Sequence, residues 1–297
     1  MDKKKFWEGL IIFLIGFFIF FSNIWGISIY SLDEAKNAEC AREMLERGDL
    51  IVPTFNYELR TDKPPLHYYF MMLSYKLFGV NEFSARLFSS IFGGLVVLIT
   101  FLFAKRYLGF YTAFFAFLIL ISSLHTAIQF HMAVPDPYLI FWINASLFSF
   151  FIWYKERKKP FLYGFYIFSG LGVLTKGPVA VVLPFFIVFL FLLLRKEISF
   201  KTIKDLKLFQ GLFLILLISL PWYIAVGLKT DWIWVKEFIF KHNLHRFSEP
   251  MEGHGGIFLL TFIYVFFGML PFSIFIFQSI KESFKRKEED IFLLDIL

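Results

Sequence analysis

Eight apolar runs dominate this sequence, and each is close to the length that a helix needs to cross a lipid bilayer, about 20 mostly apolar residues. The runs are residues 8–27, 84–104, 110–128, 137–154, 161–175, 178–194, 208–227 and 257–280. Of the 297 residues, 58% are hydrophobic and 18% are charged, whereas a soluble domain is about 25% charged. The sequence therefore predicts an all-α integral membrane protein: a multi-pass bundle of about eight transmembrane helices in a single domain, 1–297.

Lysine and arginine residues in the short loops predict the orientation of this bundle. They concentrate in segments 3–5, 105–106, 155–159, 195–207 and 281–287. Because cytoplasmic loops carry an excess of basic residues, we expect both termini in the cytoplasm and the protein in the cell inner (plasma) membrane. This distribution explains the net charge of +6 without a nucleic-acid partner. It also places the long loops 28–83 and 228–256 on the outer face.

The first outer loop contains the signals of two amphipathic helices. Ser31–Glu34 has the pattern of a capping box, and we expect a helix from there to Gly48, because glycine commonly follows a helix end. One side of this helix carries a modest apolar stripe of Ala35, Ala38, Ala41 and Leu45. Such a stripe suits a helix that lies on the membrane surface. A second helix is expected from Pro64–Pro65 to Gly79.

The strong polar clusters outside the basic loops all fall in the outer segments of this topology. They are Asp33 with Glu34, Asp62 with Lys63, His131 with Asp136, Lys176, His242 with His245 and Arg246, and His254. Lysine and arginine neutralise phosphates, a carboxylate can act as a general base, and histidine with a carboxylate can hold a metal ion. Together these groups suit a phosphate attached to an apolar tail.

Each of these residues also has a purely structural interpretation. Asp33 and Glu34 are acids at a helix start, where they satisfy free N–H groups. Lys63 and Lys176 can be interfacial lysines whose stems lie along apolar surface, and the histidines can be ordinary polar residues of loops and turns. The residues alone leave both interpretations open, and their confinement to one face favours a shared site.

Several motifs follow one another along the chain. They are Asp33-Glu34-Ala35, Arg42–Leu45, Gly48–Pro53, Lys63–Leu66, Leu77–Gly79, Phe83–Leu87, Asp136, Leu174–Pro178, Pro221–Tyr223, His242-Asn243 with Arg246-Phe247, and His254–Gly256. In this order they resemble the GT-C class of glycosyltransferases. More narrowly, they resemble the branch of protein O-mannosyltransferases and the lipid A aminoarabinose transferase. The resemblance covers most of residues 28–275 and implies a GT-C-like membrane fold.

The resemblance also implies roles for individual residues. Asp33 stands at the family's essential acid, a catalytic base or acceptor-positioning group, and Asp136 stands at a second acid. Lys63 stands at the lysine that binds the carrier phosphate, and Arg246 and Lys176 are further candidates for that phosphate. Supporting residues are Glu34, His131 and His254.

One cofactor, a divalent metal ion, is suggested by the same resemblance. His242 stands at a histidine that helps to bind a metal in some relatives, beside an acid that precedes the lysine. That acid is Asp62 in this chain, whereas relatives commonly have glutamate. The shorter side chain weakens the expectation of a metal at Asp62 and His242.

The reaction implied is transfer of a hexose or pentose from a polyprenyl-phosphate carrier to a lipid, protein or glycan acceptor. An alternative is a transporter or flippase, or a binding subunit, for lipid-linked sugars. Transporters commonly place ionisable residues near the bilayer midplane in two related halves. The predicted spans contain almost no ionisable residues and no visible repeat, which favours the enzyme. Relatives continue with further spans, so this chain is expected to be a fragment, a short gene product, or a minimal version whose missing part is another chain.

Overall fold

The computed structural model describes residues 3–244 and 258–285, and these are mostly helical. The helices are α1 (Lys3–Phe21), α2 (Leu32–Arg47), α3 (Leu66–Phe78), α4 (Glu82–Leu108), α5 (Phe110–Ser122), α6 (Leu124–Gln129), α7 (Asp136–Glu156), α8 (Lys159–Lys176), α9 (Val179–Leu194), α10 (Phe200–Asp205), α11 (Leu208–Lys229), α12 (Ile233–Ile239), α13 (Phe258–Gly268) and α14 (Ile276–Lys285). A π-helical turn, Phe240–Leu244, follows α12, and a 3₁₀ turn, Phe272–Phe275, precedes α14. Strands β1 (Thr54–Phe55) and β2 (Glu58–Leu59) form one short antiparallel hairpin in the first loop.

The long helices pack around α4 and α7. Helix α1 lies against α4, α4 also contacts α5 and α7, and α8 contacts α7, α9 and α11. Aromatic side chains fill these interfaces, and Phe150, Phe165 and Phe191 are almost completely buried where α7, α8 and α9 meet. Because lipid tails are as apolar as these side chains, close packing rather than exclusion of water stabilises such contacts in a membrane.

Ion pairs show which helix ends lie together at one end of the bundle. Lys105 at the end of α4 pairs with Glu8 near the start of α1. Arg106, also at the end of α4, pairs with Glu156 at the end of α7. Predicted basic loop segments of the sequence therefore meet at this end.

The opposite end of the bundle carries the predicted site residues. Arg86, near the start of α4, pairs with Glu34 of α2. Lys176, the last residue of α8, pairs with Asp136, the first residue of α7. The candidate residues on these elements are thus collected at one end of the molecule.

The predicted spans correspond to helices, but two of them are not single helices. Within residues 3–244 and 258–285, three helical stretches are long and apolar enough to cross a membrane, Glu82–Leu108, Asp136–Glu156 and Phe200–Lys229, and a fourth is added if one bent pair is a single span. That pair, within predicted run 257–280, bends by 116° near Pro271, which has no N–H to continue a helix. Run 110–128 divides at Ser123, whose backbone is extended. The count of about eight spans stays a prediction.

The two expected helices of the first loop are present as α2 and α3. Gly48 ends α2 with a φ of 63°, and Gly79 ends α3. The capping box expected at Ser31–Glu34 is wrong, because the Ser31 side chain makes no capping hydrogen bond. Its expected acidic partner, Glu34, is bound instead to Arg86.

The apolar stripe of α2, which the sequence suggested for a membrane surface, packs in part against α3. Ala38 and Ala41 are buried against Met71 and Tyr75 of α3. The small side chains allow the two helices of the loop to approach closely. The stripe therefore forms a local core that positions α2 and α3.

Candidate active site

Asp33 and Lys63, 30 positions apart in the sequence, form an ion pair. Asp33 is in the first turn of α2, and Nζ of Lys63, in the loop before α3, donates to its Oδ1. The lysine side chain is 13% exposed and the aspartate 46%. Burial lowers the pKa of Lys63 below its ordinary value, against the opposing effect of Asp33. The structure thus pairs the predicted catalytic acid with the predicted phosphate-binding lysine, and the acid is the more accessible partner.

Asp62 is held by the guanidinium of Arg60. Nε of Arg60 donates to Oδ1 of Asp62 at 2.6 Å and Nη2 donates to Oδ2 at 3.0 Å. The Arg60 side chain is 6% exposed. Burial opposes ionisation of Asp62, but the hydrogen bonds and charge of Arg60 outweigh it and lower the pKa of Asp62 to about 2. Asp62 is therefore a carboxylate at neutral pH, with both oxygens engaged.

Thr61, between these two residues, connects the first loop to the region after α12. Its hydroxyl donates to Oε2 of Glu237 at 2.7 Å and lies 3.2 Å from Nε2 of His242. Because a hydroxyl carries one proton, the contact with His242 requires a proton on Nε2. The carbonyl oxygen of Arg60 accepts a hydrogen bond of 2.7 Å from the Trp234 indole. These bonds fix the segment 60–63 between α2 and α12.

Behind this segment lies a buried polar cluster of Arg60, Asn37 and His67. Nη2 of Arg60 donates to Oδ1 of Asn37 at 3.0 Å, and Nε2 of His67 is 3.4 Å from the same oxygen. Burial, and then the charges of Lys63 and Arg60, lower the pKa of His67 well below its ordinary value, so His67 is neutral at neutral pH. Nη1 of Arg60, Nδ2 of Asn37 and Nδ1 of His67 are buried without a hydrogen-bond partner among the described residues.

Lys176 and Asp136 form a second ion pair next to this cluster. Nζ of Lys176 donates to Oδ1 of Asp136 at 2.6 Å, with about a third of each side chain exposed. The charge of Lys176 contributes to lowering the pKa of His67. Gly177, with a φ of 88°, ends α8 directly after Lys176. Each of the two predicted catalytic acids, Asp33 and Asp136, is therefore paired with a predicted phosphate-binding lysine.

Glu34, expected to support the site, is completely enclosed. Arg86 holds both of its oxygens, and its Oε1 also accepts the backbone N–H of Ala133 at 2.9 Å. Arg86 further donates to the carbonyl oxygens of Ile24 and Ile27, in the chain that follows α1. Glu34 therefore joins α2, α4 and the loop before α7 and presents no oxygen to a substrate.

The side chain of His131, the next supporting candidate, also contacts backbone groups of the protein. Its Nδ1 lies 2.5 Å from the carbonyl oxygen of Ala127 and its Nε2 lies 3.1 Å from that of Ser22. It thus connects the turn after α6 with the chain after α1. The remaining candidates, Arg246 and His254, lie outside the described residues.

Asp62 and His242 are the two residues that the sequence suggested as ligands of a metal ion. Within residues 3–244 and 258–285, no group of three or more His, Cys, Asp or Glu residues is arranged to hold a metal ion. Asp62 is engaged by Arg60, and Nε2 of His242 faces the Thr61 hydroxyl.

Five residues of the site were not singled out from the sequence: Asn37, Arg60, Thr61, His67 and Glu237. Arg60 and Thr61 directly precede Asp62-Lys63, so the density of charge in this string was an available signal. Asn37 and Glu237 had no such signal, because ordinary helix positions carry polar residues of this kind. Their importance depends on which helices approach the 60–63 segment.

The part of the chain that carries these features matches known proteins. Residues 62–224 match the family described as dolichyl-phosphate-mannose-protein mannosyltransferase. An uncharacterised protein of Aquifex aeolicus (strain VF5) is 33% identical over 292 residues, which are 97% of this chain and 56% of that protein. The undecaprenyl phosphate-alpha-4-amino-4-deoxy-L-arabinose arabinosyl transferase of Yersinia pestis (strain Pestoides F) is 32% identical over 234 residues, 76% of this chain and 41% of the transferase.

A solved structure has the same fold. The crystal structure of ArnT from Cupriavidus metallidurans bound to undecaprenyl phosphate superposes with a TM-score of 0.83, at 21% sequence identity, over 96% of this chain and 52% of that one. At this identity the match concerns the fold alone. The chain spans about half the length of these relatives.

Proposed function

The chain belongs to the dolichyl-phosphate-mannose-protein mannosyltransferase family, and on this premise we propose that it is a membrane glycosyltransferase that uses a polyprenyl-phosphate sugar donor. The GT-C-like, all-α membrane fold expected from the sequence is confirmed by the superposition with ArnT. The proposed acceptor is a lipid, a protein or a glycan. The sugar is a pentose or a hexose, and the name of the Yersinia relative makes undecaprenyl-phosphate 4-amino-4-deoxy-L-arabinose the first donor to test.

The observation that carries this proposal is the ion pair between Asp33 and Lys63. A donor phosphate that reaches Lys63 would compete with Asp33 for the ammonium group. Donor binding would therefore release the Asp33 carboxylate. The pair suits an enzyme in which the base becomes available when the donor is bound.

In the proposed step, an acceptor hydroxyl oxygen attacks the anomeric carbon from the side opposite the phosphate, and the configuration inverts. The bond between the anomeric carbon and the phosphate oxygen breaks, and its electron pair leaves with the polyprenyl phosphate. The acceptor proton goes to Asp33. Lys63, with Lys176 and Arg246 as further cations, stabilises the charge on the departing phosphate. Asp136 holds Lys176 in position.

The site is proposed to face the outer side of the cell membrane. This proposal rests on Lys105 and Arg106, two of the basic residues predicted to be cytoplasmic, which lie at the opposite end of the bundle from Asp33 and Lys63. Reporter fusions after Tyr57, an exposed residue of the first loop, should be active outside the cytoplasm. Activity of a reporter that works only in the cytoplasm would contradict the proposed orientation.

The experiment that tests the function is sugar transfer from a radiolabelled polyprenyl-phosphate sugar in membranes. Asp33→Asn removes the proposed base and should lower kcat about 10²- to 10⁴-fold. Lys63→Ala removes the charge at the phosphate and should lower transfer about 10²- to 10³-fold. The amount of each variant in the membrane is measured by immunoblot, so that expression does not explain the loss.

Lys229→Ala provides a matched control. Lys229 forms an ion pair with Asp49 at the same end of the molecule, 3.1 Å apart, and is about half exposed. It should retain wild-type transfer. Transfer by Asp33→Asn at the wild-type rate would refute the role of Asp33. Binding or translocation of the donor without transfer to any acceptor would favour the transporter or binding-subunit alternative.

A further inference from the structure

Helix α12 holds the segment that carries Lys63 through two hydrogen bonds. The Glu237 carboxylate accepts a hydrogen bond from the Thr61 hydroxyl at 2.7 Å. The Trp234 indole donates to the carbonyl oxygen of Arg60, also at 2.7 Å. The Thr61 side chain is buried, and Thr61 lies two positions before Lys63. One side of α12 therefore fixes the backbone directly before the lysine.

The same helix contacts the end of α8, which carries Lys176. Leu174 of α8 packs against the apolar cluster that contains Phe238. A Cβ on Gly177, the residue after Lys176, would lie 2.5 Å from Cζ of the Phe238 ring. The ring therefore lies directly against the backbone where α8 ends. Because Glu237 and Phe238 are consecutive, one turn of α12 contacts both lysine-bearing segments.

Aromatic packing anchors α12 itself to α11. Trp234 and Phe238 are almost completely buried, and their rings are stacked with centroids 4.8 Å apart. Trp222 of α11 meets the Trp234 ring edge to face, also at 4.8 Å, and Val226 completes the buried cluster. Such rings pack at the density of a solid, so a displacement on one side is passed to the other. Helix α12 thus has a fixed base and two contacts with the site.

We propose that α12 is a shared support for the two proposed phosphate-binding lysines. Glu237 positions Lys63 through its hydrogen bond with Thr61. Phe238 positions Lys176 by packing against the end of α8. The support sets the relative position of the two ammonium groups, so that both bind one donor phosphate. Glu237 and Phe238 are positioning residues, because each acts through a neighbouring segment. This inference rests on the proposed function, since it gives both residues a part in donor binding.

The hydrogen bond between Thr61 and Glu237 is tested by the KM for the donor, because KM does not depend on the amount of folded enzyme. Thr61→Val and Glu237→Ala each remove one partner and should raise the donor KM about 10-fold, with the acceptor KM unchanged. Thr61→Ser keeps the hydroxyl and Glu237→Gln keeps an acceptor oxygen, so both should stay close to the wild-type donor KM. The double variant Thr61→Val/Glu237→Ala should be no worse than the more severe single variant.

Lys236→Ala is the matched control on the same helix. Lys236 directly precedes Glu237 and is exposed, so this variant should keep the wild-type donor KM. An increase in Glu237→Gln as large as in Glu237→Ala would show that the charge of Glu237 acts, rather than its bond with Thr61, and would overturn its assignment. A wild-type donor KM in both Thr61→Val and Glu237→Ala would overturn it as well.

Whether the support is shared is tested in the Lys176→Ala background. Phe238→Ala opens a cavity beside the end of α8 and loosens α12. It should raise the donor KM in the wild type and raise it again in Lys176→Ala, because Lys63 is displaced too. Phe238→Leu should show the same pattern to a smaller extent, and it serves if Phe238→Ala does not accumulate in the membrane. No further rise in Lys176→Ala would show that Phe238 acts on Lys176 alone and would overturn the shared support.

Binding of radiolabelled undecaprenyl phosphate to the full chain, purified in detergent, separates this inference from the proposed function. Thr61→Val and Glu237→Ala should each weaken this binding about 10-fold. Unchanged binding and donor KM in these variants, with sugar transfer by the wild type, would overturn the support and leave the function standing. A wild type that transfers no sugar from any donor refutes the function, and binding by the variants then decides the support. A wild type that also binds no undecaprenyl phosphate overturns both.

Discussion

The carboxylate of Glu34 and the guanidinium of Arg86 meet in two hydrogen bonds of 2.6 and 2.9 Å, with both side chains buried. Removing one partner of such a pair leaves an uncompensated buried charge, which typically costs about 3–5 kcal/mol. Glu34→Ala should therefore unfold at a markedly lower temperature than the wild type in detergent. It should also lower transfer, because Glu34 positions α2 and hence Asp33.

Glu46→Ala is the control on the same helix. Glu46 pairs with Arg42 at 2.6 Å but is 55% exposed, and exposed pairs contribute about 1 kcal/mol or less. The control should have a Tm close to that of the wild type. An equal decrease of Tm in Glu34→Ala and Glu46→Ala would show that the buried pair stabilises the protein no more than the exposed pair does.

Lys176 and Asp136 should act as one unit, because each is the ion-pair partner of the other. Lys176→Ala and Asp136→Asn are each expected to lower kcat/KM about 10-fold. The double variant should be no worse than the more severe single variant, since effects of residues in contact are not additive. The double-mutant cycle is measured with the sugar-transfer assay. Fully additive losses would mean that the two residues serve separate steps.

Protein stability should fall as the pH drops below about 6.5, and His67 should account for part of the fall. In the folded protein burial lowers the pKa of His67 well below 6.5, so the unfolded chain binds the proton first. Stability is then fully present above the unfolded pKa and decreases with falling pH, by at most about 1.4 kcal/mol per pH unit. The Tm of His67→Gln should change less between pH 7.5 and pH 5.5 than that of the wild type.

His125→Gln is the control for this pH effect, because His125 is exposed and lies on α6. Its Tm should follow the wild-type dependence on pH. An identical pH dependence in His67→Gln and the wild type would show that His67 does not titrate differently in the folded protein.

Gly177 is the residue that allows Lys176 to lie where α8 ends. Its φ is 88°, and a Cβ at this position would lie 2.5 Å from Cζ of the buried Phe238. Gly177→Ala should therefore cost about 2–4 kcal/mol from backbone strain and overpacking, and it should lower sugar transfer by moving Lys176. Thermal unfolding and the transfer assay measure the two effects.

Gly109→Ala separates the effect of backbone strain from the effect of the clash with Phe238. Gly109 has a similar φ of 91°, but nothing lies within 4 Å of the position of its Cβ. It should show the cost of strain without the cost of the clash, and it should keep wild-type transfer. A larger loss of stability in Gly109→Ala than in Gly177→Ala would contradict the importance of the Phe238 contact.

Much of the fold was predictable because its signals are local. Apolar runs mark the long helices, and Gly48 and Gly79 mark the ends of α2 and α3. The motifs around Asp33, Lys63 and Asp136 pointed to the correct family. The count of spans was less accessible, since a break at Ser123 or a bend near Pro271 depends on packing as well as on composition.

The sequence by itself determined that the chain is a helical membrane protein of this family and that Asp33, Lys63, Asp136 and Lys176 are its candidate site residues. The tertiary structure alone decided the ion-pair partners: Asp33 pairs with Lys63, Glu34 with Arg86, and Asp62 with Arg60. The physical reason is that a charge is neutralised by the partner that the packed helix ends bring within hydrogen-bonding distance. For Glu34 that partner is 52 positions away along the chain, and no local pattern around Ser31–Glu34 indicates it.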